Sequence, residues 1–129
     1  MFRHIKKRHN EKNEIKEIMK KSGWDAKKVE ERLIEVSELG MSRKRFLYNN
    51  GWEYSNEELI KLNSEIETIM KEEKYKLSTL KNESKRLKEE IVGRKIQANK
   101  VGISDQEYYD NKLYKLSSKD FEKILSSKK

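Results

Sequence analysis

Apolar residues recur along this chain at the spacing of an α-helix, and the breaks in that rhythm mark where helices end. Ile15, Ile18 and Met19 form one stripe in a segment from about Glu11 to Lys21, which predicts a first helix. Val29, Leu33, Val36 and Leu39 stand at i, i+4, i+7 and i+10, which predicts a second helix over Ala26–Leu39. Ser22-Gly23 separates the two, Trp24 leads into the second, and Asp25 is placed to cap it. Gly40 follows as the stop, because glycine takes the left-handed conformation that ends helices without steric cost. Ser42 then opens a short third helix from Arg43 to about Asn49, closed by Asn49-Asn50-Gly51.

After Trp52 and Tyr54 the run Ser55-Asn56-Glu57-Glu58 reads as a capping box, with Glu58 reaching back to the serine that caps the helix. The pattern beyond it predicts one long helix from Glu57 to about Lys100. Leu59, Leu62, Ile66, Ile69, Met70, Leu77, Leu80, Leu87, Ile91 and Ala98 step by threes and fours in the manner of a coiled-coil seam. Glu73, Lys76, Ser84 and Arg94 interrupt that seam. A break near Gly93, or a hairpin near Glu73-Lys74, is the competing expectation. Gly102 is a second stop; Ser104 with Glu107 makes another capping box for a helix through about Lys112. Ser117 with Asp120 begins a last helix whose apolar face is Phe121, Ile124 and Leu125.

A shift of 62 residues aligns much of this punctuation with itself. Gly40 falls on Gly102, Ser42 on Ser104, Phe46 on Tyr108, Asn49 on Asn111, Trp52 on Tyr114, Ser55 on Ser117 and Leu59 on Phe121. Each matched residue stops a helix, caps one or plugs a corner, so the reading is an internal structural repeat. Two unrelated corners sharing cap chemistry are the alternative.

The expected fold class is all-α: two helix-turn-helix corners joined by a long, partly coiled-coil-like central helix. The expected divisions are a flexible basic arm over 1–9, a first helical unit over 10–54, the central helix over 55–100, and a second corner with its last helix over 101–129. Composition narrows this picture. With 33% hydrophobic and 42% charged residues among 129, a large core is out of reach, which leaves thin bundles or elongated helices. The absence of proline permits long helices. A formal charge of +8 points to an anionic partner, although Lys-, Asn- and Ile-rich usage accounts for it equally well. No cysteine is present, the basic start has no apolar segment after it, and no apolar run approaches a membrane span. The expected location is therefore the cytoplasm.

Chemistry enters at the corners. A helix, a glycine turn and a helix opened by serine is the outline of the helix-turn-helix DNA-binding motif. The first copy presents Arg43, Lys44 and Arg45 behind Ser42, with Asn49 a turn later, residue types that meet phosphates, guanine and adenine edges. The arm adds Arg3, Lys6, Lys7 and Arg8 as phosphate contacts. The second copy presents Asp105, Gln106 and Glu107, which phosphate repels, so it reads as structural or protein-facing. A solvated basic face is the alternative for Arg43–Arg45. For a protein partner or a homodimer, the candidates are Leu77, Leu80, Leu87 and Ile91 on the central helix, with Trp52, Tyr109 and Tyr114 beside them. Catalysis has no foothold: His4 and His9 are five apart in the arm, and there is no glycine-rich phosphate loop or metal-binding cluster. No cofactor, metal or small-molecule substrate is expected.

The run Ser22-Gly23-Trp24-Asp25-Ala26, then Leu39-Gly40-Met41-Ser42 and the aromatic Phe46, resembles the short helical segment that precedes the ligase domain of bacterial sugar-transfer-associated ATP-grasp proteins. The resemblance covers roughly Lys20 to Tyr54, and Gly102 to Tyr114 shares its second part. The ATP-grasp domain itself finds no counterpart, so the resemblance implies an accessory or interaction module and no catalytic residue. The leading expectation is a small, basic, non-enzymatic bacterial or phage protein that binds nucleic acid through the first corner and the arm. The second is a protein-interaction adaptor. The third places the basic arm on an anionic membrane surface.

Overall fold

The computed structural model describes the backbone of residues 2–128 and the side chains of residues 12–128. Among these residues the protein is all-α, with eight α-helices, two short 3-10 turns and no strand. It divides into two compact units, Met1–Ile60 and Lys61–Lys129.

In the first unit, α1 (Phe2–Ser22) leads to α2 (Ala26–Glu38), α3 (Arg43–Tyr48), a 3-10 turn at Gly51–Glu53 and the start of α4 (Asn56–Glu72). Helix α1 starts well before the expected Glu11 and absorbs the stretch read as a flexible arm, because no glycine or proline interrupts it between Phe2 and Ser22. The caps are those expected from the sequence. The Asp25 side chain accepts from the Lys28 N–H at 2.8 Å, Ser42 accepts from Arg45 at 3.2 Å, and Ser55 and Glu58 exchange reciprocal bonds of 3.3 and 3.0 Å. Ile18, Val29, Val36 and Phe46 are fully or almost fully buried and form the core of this unit.

Helix α4 carries the chain into the second unit. The segment expected to be one long helix to Lys100 is three: α4, α5 (Lys74–Ser84) and α6 (Lys88–Lys100). At Glu73 the interruption is slight. The Glu73 N–H still donates to Ile69 at 2.8 Å and its carbonyl accepts from Leu77 at 2.8 Å, so the chain does not reverse there. Nor does Gly93 break α6. The real stop is Ser84-Lys85. The Ser84 hydroxyl donates back to the Leu80 carbonyl at 2.6 Å and accepts from the Arg86 N–H at 3.2 Å, while Lys85 turns left-handed at φ 60°. Ser22-Gly23 ends α1 in the same way, with bonds of 2.6 and 3.1 Å and Gly23 at φ 80°. A single seam through 57–100 is thereby divided among three helices.

The second unit continues with α7 (Asp105–Asp110), a 3-10 turn at Leu113–Lys115 and α8 (Ser118–Lys128). Helix α6 is its centre. Residues 90–96 and Ala98 are all buried, so α6 shows no single apolar stripe. From α2 to the start of the helix after the 3-10 turn, every bound in the first unit has a counterpart 62 residues later in the second. The left-handed positions Gly40 and Asn50 likewise correspond to Gly102 and Lys112.

Candidate functional site

The first corner is built by α2, Gly40 and α3. Gly40 at φ 90° reverses the chain, and the Met41 N–H then closes onto the Val36 carbonyl at 3.2 Å. Met41 and Phe46 are buried beneath the corner, and Trp52 meets Phe46 edge-on with ring centres 6.1 Å apart. This arrangement presents the basic triplet unevenly. Lys44 is exposed, Arg43 and Arg45 are half-buried, and Arg43 Nε lies 3.7 Å from Glu14 Oε2 on α1. Asn49, expected to meet an adenine edge, is 2% exposed. Its amide donates to the Arg45 carbonyl at 2.8 Å, while its buried Oδ1 has no hydrogen-bond partner among the described residues. Helix α3, with six residues, is only about 9 Å long. The side chains of Arg3, Lys6, Lys7 and Arg8 lie outside the described residues.

The residues expected to form a self-association face are dispersed. Leu77, Leu80, Ile91 and Tyr114 are buried, Trp52 and Tyr109 are half-buried, and Leu87 alone is exposed. An apolar surface that sequence reading did not single out lies instead on the first unit. Ile15 of α1, Glu30, Leu33, Ile34 and Ser37 of α2, and Met41, Ser42 and Arg43 of the corner line an open groove of about 550 Å³. Ile34 is 64% exposed, a large apolar side chain left in water. Its partner at the 62-residue offset, Ile96, is 5% exposed.

The second unit buries three charged residues, Glu90, Arg94 and Lys95, among its described residues. Lys95 sits between two acids, its Nζ 2.8 Å from Glu73 Oε2 and 3.3 Å from Asp105 Oδ2. The Tyr109 hydroxyl donates to the same Glu73 oxygen at 2.8 Å, and Asn99 donates to Asp105 at 3.0 Å. Burial first, and then Glu73, pushes the Tyr109 phenol well above its ordinary range; burial does the same for Tyr108, whose hydroxyl donates to the Ile91 carbonyl at 2.6 Å. On the surface, the hydrogen bond from Lys115 holds the Glu83 carboxyl below its usual value. These groups satisfy one another, which is the arrangement of a specified core. Among the described residues no group of three or more His, Cys, Asp and Glu side chains could hold a metal ion, and no helix is long and apolar enough to cross a membrane.

Two arginines do equivalent work, one of which, Arg32, the sequence reading did not single out, while the other, Arg94, it took only as an interruption of the seam. Arg32 of α2 donates to the Tyr54 carbonyl at 3.2 Å and to the Asn56 side chain. Arg94 of α6 donates to the Leu116 carbonyl at 2.6 Å and to the Ser118 hydroxyl at 3.5 Å. Each clasps the residue two before a helix start and the first residue of that helix. The signal was available: the two arginines, and both of their targets, are 62 residues apart. Compared with known proteins, the chain matches no protein-family model, no curated protein and no solved structure.

Proposed function

We propose that this chain is a non-enzymatic protein-binding adaptor made of two copies of one helical module, the first copy carrying the partner surface. Ile34 is the observation that carries the reading. A buried isoleucine side chain contributes about 1.5–3 kcal/mol relative to an exposed one, and Ile34 lines a groove of mixed apolar and polar side chains in which a partner could cover it. The duplication is supported by the shared helix bounds, the matching left-handed positions, the two serine stops and the two arginine clasps. In the second copy the equivalent position is covered, which supports a module face suited to burial. The occupant that suits an open groove between α1, α2 and the corner is the apolar face of a partner helix.

A photo-crosslinking residue at position 34, introduced into the protein in its native cells, is expected to trap one protein reproducibly. The same residue at position 96 traps none. Ile34→Glu then abolishes the complex formed with that protein in solution. Equal adducts from both positions, or a complex indifferent to Ile34→Glu, would remove the proposal.

The charge of +8 and the exposed Lys44 favour a second reading, in which the first corner touches phosphates. With Asn49 buried and α3 so short, such contacts are to the backbone and not to base edges. That reading requires a mobility shift at low salt that falls steeply as salt rises, and that weakens when Arg43, Lys44 and Arg45 become alanine.

A further inference from the structure

We propose that α8 is a latch that undocks as one piece while α5, α6 and α7 stay folded, and that Arg94 is the residue that holds it shut. The helix is sparsely anchored. Phe121, at 3% exposure, is its one buried side chain among the described residues; Ile124 and Leu125 are half-buried and the rest face solvent. The corresponding stretch of α4 buries Leu59, Leu62 and Ile66. One anchor in place of three puts α8 at the low end of local stability, where cooperative opening of a single element is expected.

Arg94 meets every part of the latch's attachment. Its Nη1 donates to the Leu116 carbonyl at 2.6 Å, and it lies 3.4 Å from the carbonyls of both Leu113 and Tyr114 in the 3-10 turn. Its Nη2 donates to Ser118 at the start of α8 at 3.5 Å, and its guanidinium lies 5.0 Å from the centre of the Phe121 ring. The same group therefore holds the chain before α8, the first residue of α8 and its single buried ring. Glu90, 3.6 Å from Arg94 and 3.6 Å from Arg86, orients the guanidinium from the preceding turn of α6, and Arg86 adds a bond of 3.0 Å to the Leu116 carbonyl. Undocking exposes Phe121 and the covered parts of Ile124 and Leu125, and it also breaks the polar attachment. That attachment includes the charge-assisted bonds at Arg94, whose removal is worth about a ten- to hundredfold change in the opening equilibrium.

Hydrogen exchange on the full chain, read by mass spectrometry of peptides from 118–125 and from 88–100, tests this. In the unmodified protein the α8 amides are expected to exchange together, faster than those of α6, and with a shallower dependence on denaturant than α6 shows. Arg94→Lys is expected to speed α8 exchange about ten- to hundredfold with α6 exchange unchanged. Should Arg94→Lys unfold the whole unit, Phe121→Ala supplies the same comparison from α8 itself. A gradient of exchange running back from the far end of α8 would mean simple fraying and overturn the proposal. So would α8 exchange that follows α6 at every denaturant concentration.

Discussion

Alanine in place of Gly51 sets two effects of opposite sign against each other, and the structure decides between them. Gly51 opens the 3-10 turn, and its φ lies outside the left-handed region. On backbone grounds alone, alanine would therefore stabilise the protein by about 0.4–1 kcal/mol, through the entropy it removes from the unfolded chain. A Cβ built on Gly51, however, lies 2.6 Å from Phe46 Cε2 and 2.7 Å from Cγ, and closer still to Cδ2. Carbon atoms pack at about 3.5–4.0 Å, so the ring has to move by roughly an ångström. Phe46 is fully buried with Trp52 against its edge, which leaves it little room. Overpacking of this kind costs about 1–3 kcal/mol, so the net expectation is destabilisation of about 1–2 kcal/mol. For a unit of this size that lowers the unfolding midpoint by roughly 5–15 °C. Both tryptophans, Trp24 and Trp52, belong to the first unit, so thermal unfolding followed by tryptophan fluorescence reads that unit alone. Phe46→Leu, which makes space, should cost less in the Gly51→Ala background than in the unmodified protein. A midpoint that stays put or rises in Gly51→Ala would refute the packing argument.

Three further outcomes follow from the same geometry. Lys95→Met keeps most of the buried stem but leaves Glu73 without its cation; because Tyr109 still donates to Glu73 and that carboxylate is partly exposed, the loss should be about 2 kcal/mol, and a double-mutant cycle with Glu73→Gln should show coupling above about 0.5 kcal/mol in urea unfolding. Asp25→Ala removes the acceptor for the Lys28 N–H and should cost about 1 kcal/mol by the same fluorescence assay, with Asp25→Asn largely retaining stability. Burial raises the phenol pKa of Tyr108, so its contribution to stability is complete below its unfolded value near 10 and falls as pH rises beyond that. Denaturant titrations between pH 9 and pH 11 should accordingly show a shallower alkaline loss in Tyr108→Phe than in the unmodified chain; parallel profiles would refute it.

The helix ends that sequence reading located are those made by short-range bonds. Asp25, Ser42, Ser55, Ser104 and Ser117 each accept from an N–H three residues ahead, so the residue and its partner sit in one window of sequence. Glycine stops are equally local, since the left-handed backbone at Gly40 and Gly102 needs only a missing Cβ. Lys85 escaped notice because a lysine there bears the steric cost of that conformation, and nothing in its own side chain announces it. Ser84 was the clue, misread as an interruption of the seam when its hydroxyl was ending the helix.

Local chemistry therefore determined the all-α class, most of the caps and the spacing of the two corners. Tertiary structure alone decided which faces are covered. Arg94 and Lys95 are charged, a residue type that is rarely buried, and Arg94 read only as an interruption of the seam, yet both are 5% exposed. They stay buried because their partners, the Leu116 carbonyl and Glu73, each lie 22 residues away in sequence and arrive only when the unit closes. Ile34 and Ile96 occupy the same place in the same pattern, and one is open while the other is covered. Periodicity fixes where a side chain sits on its own helix; what lies against that side chain is set by the rest of the fold.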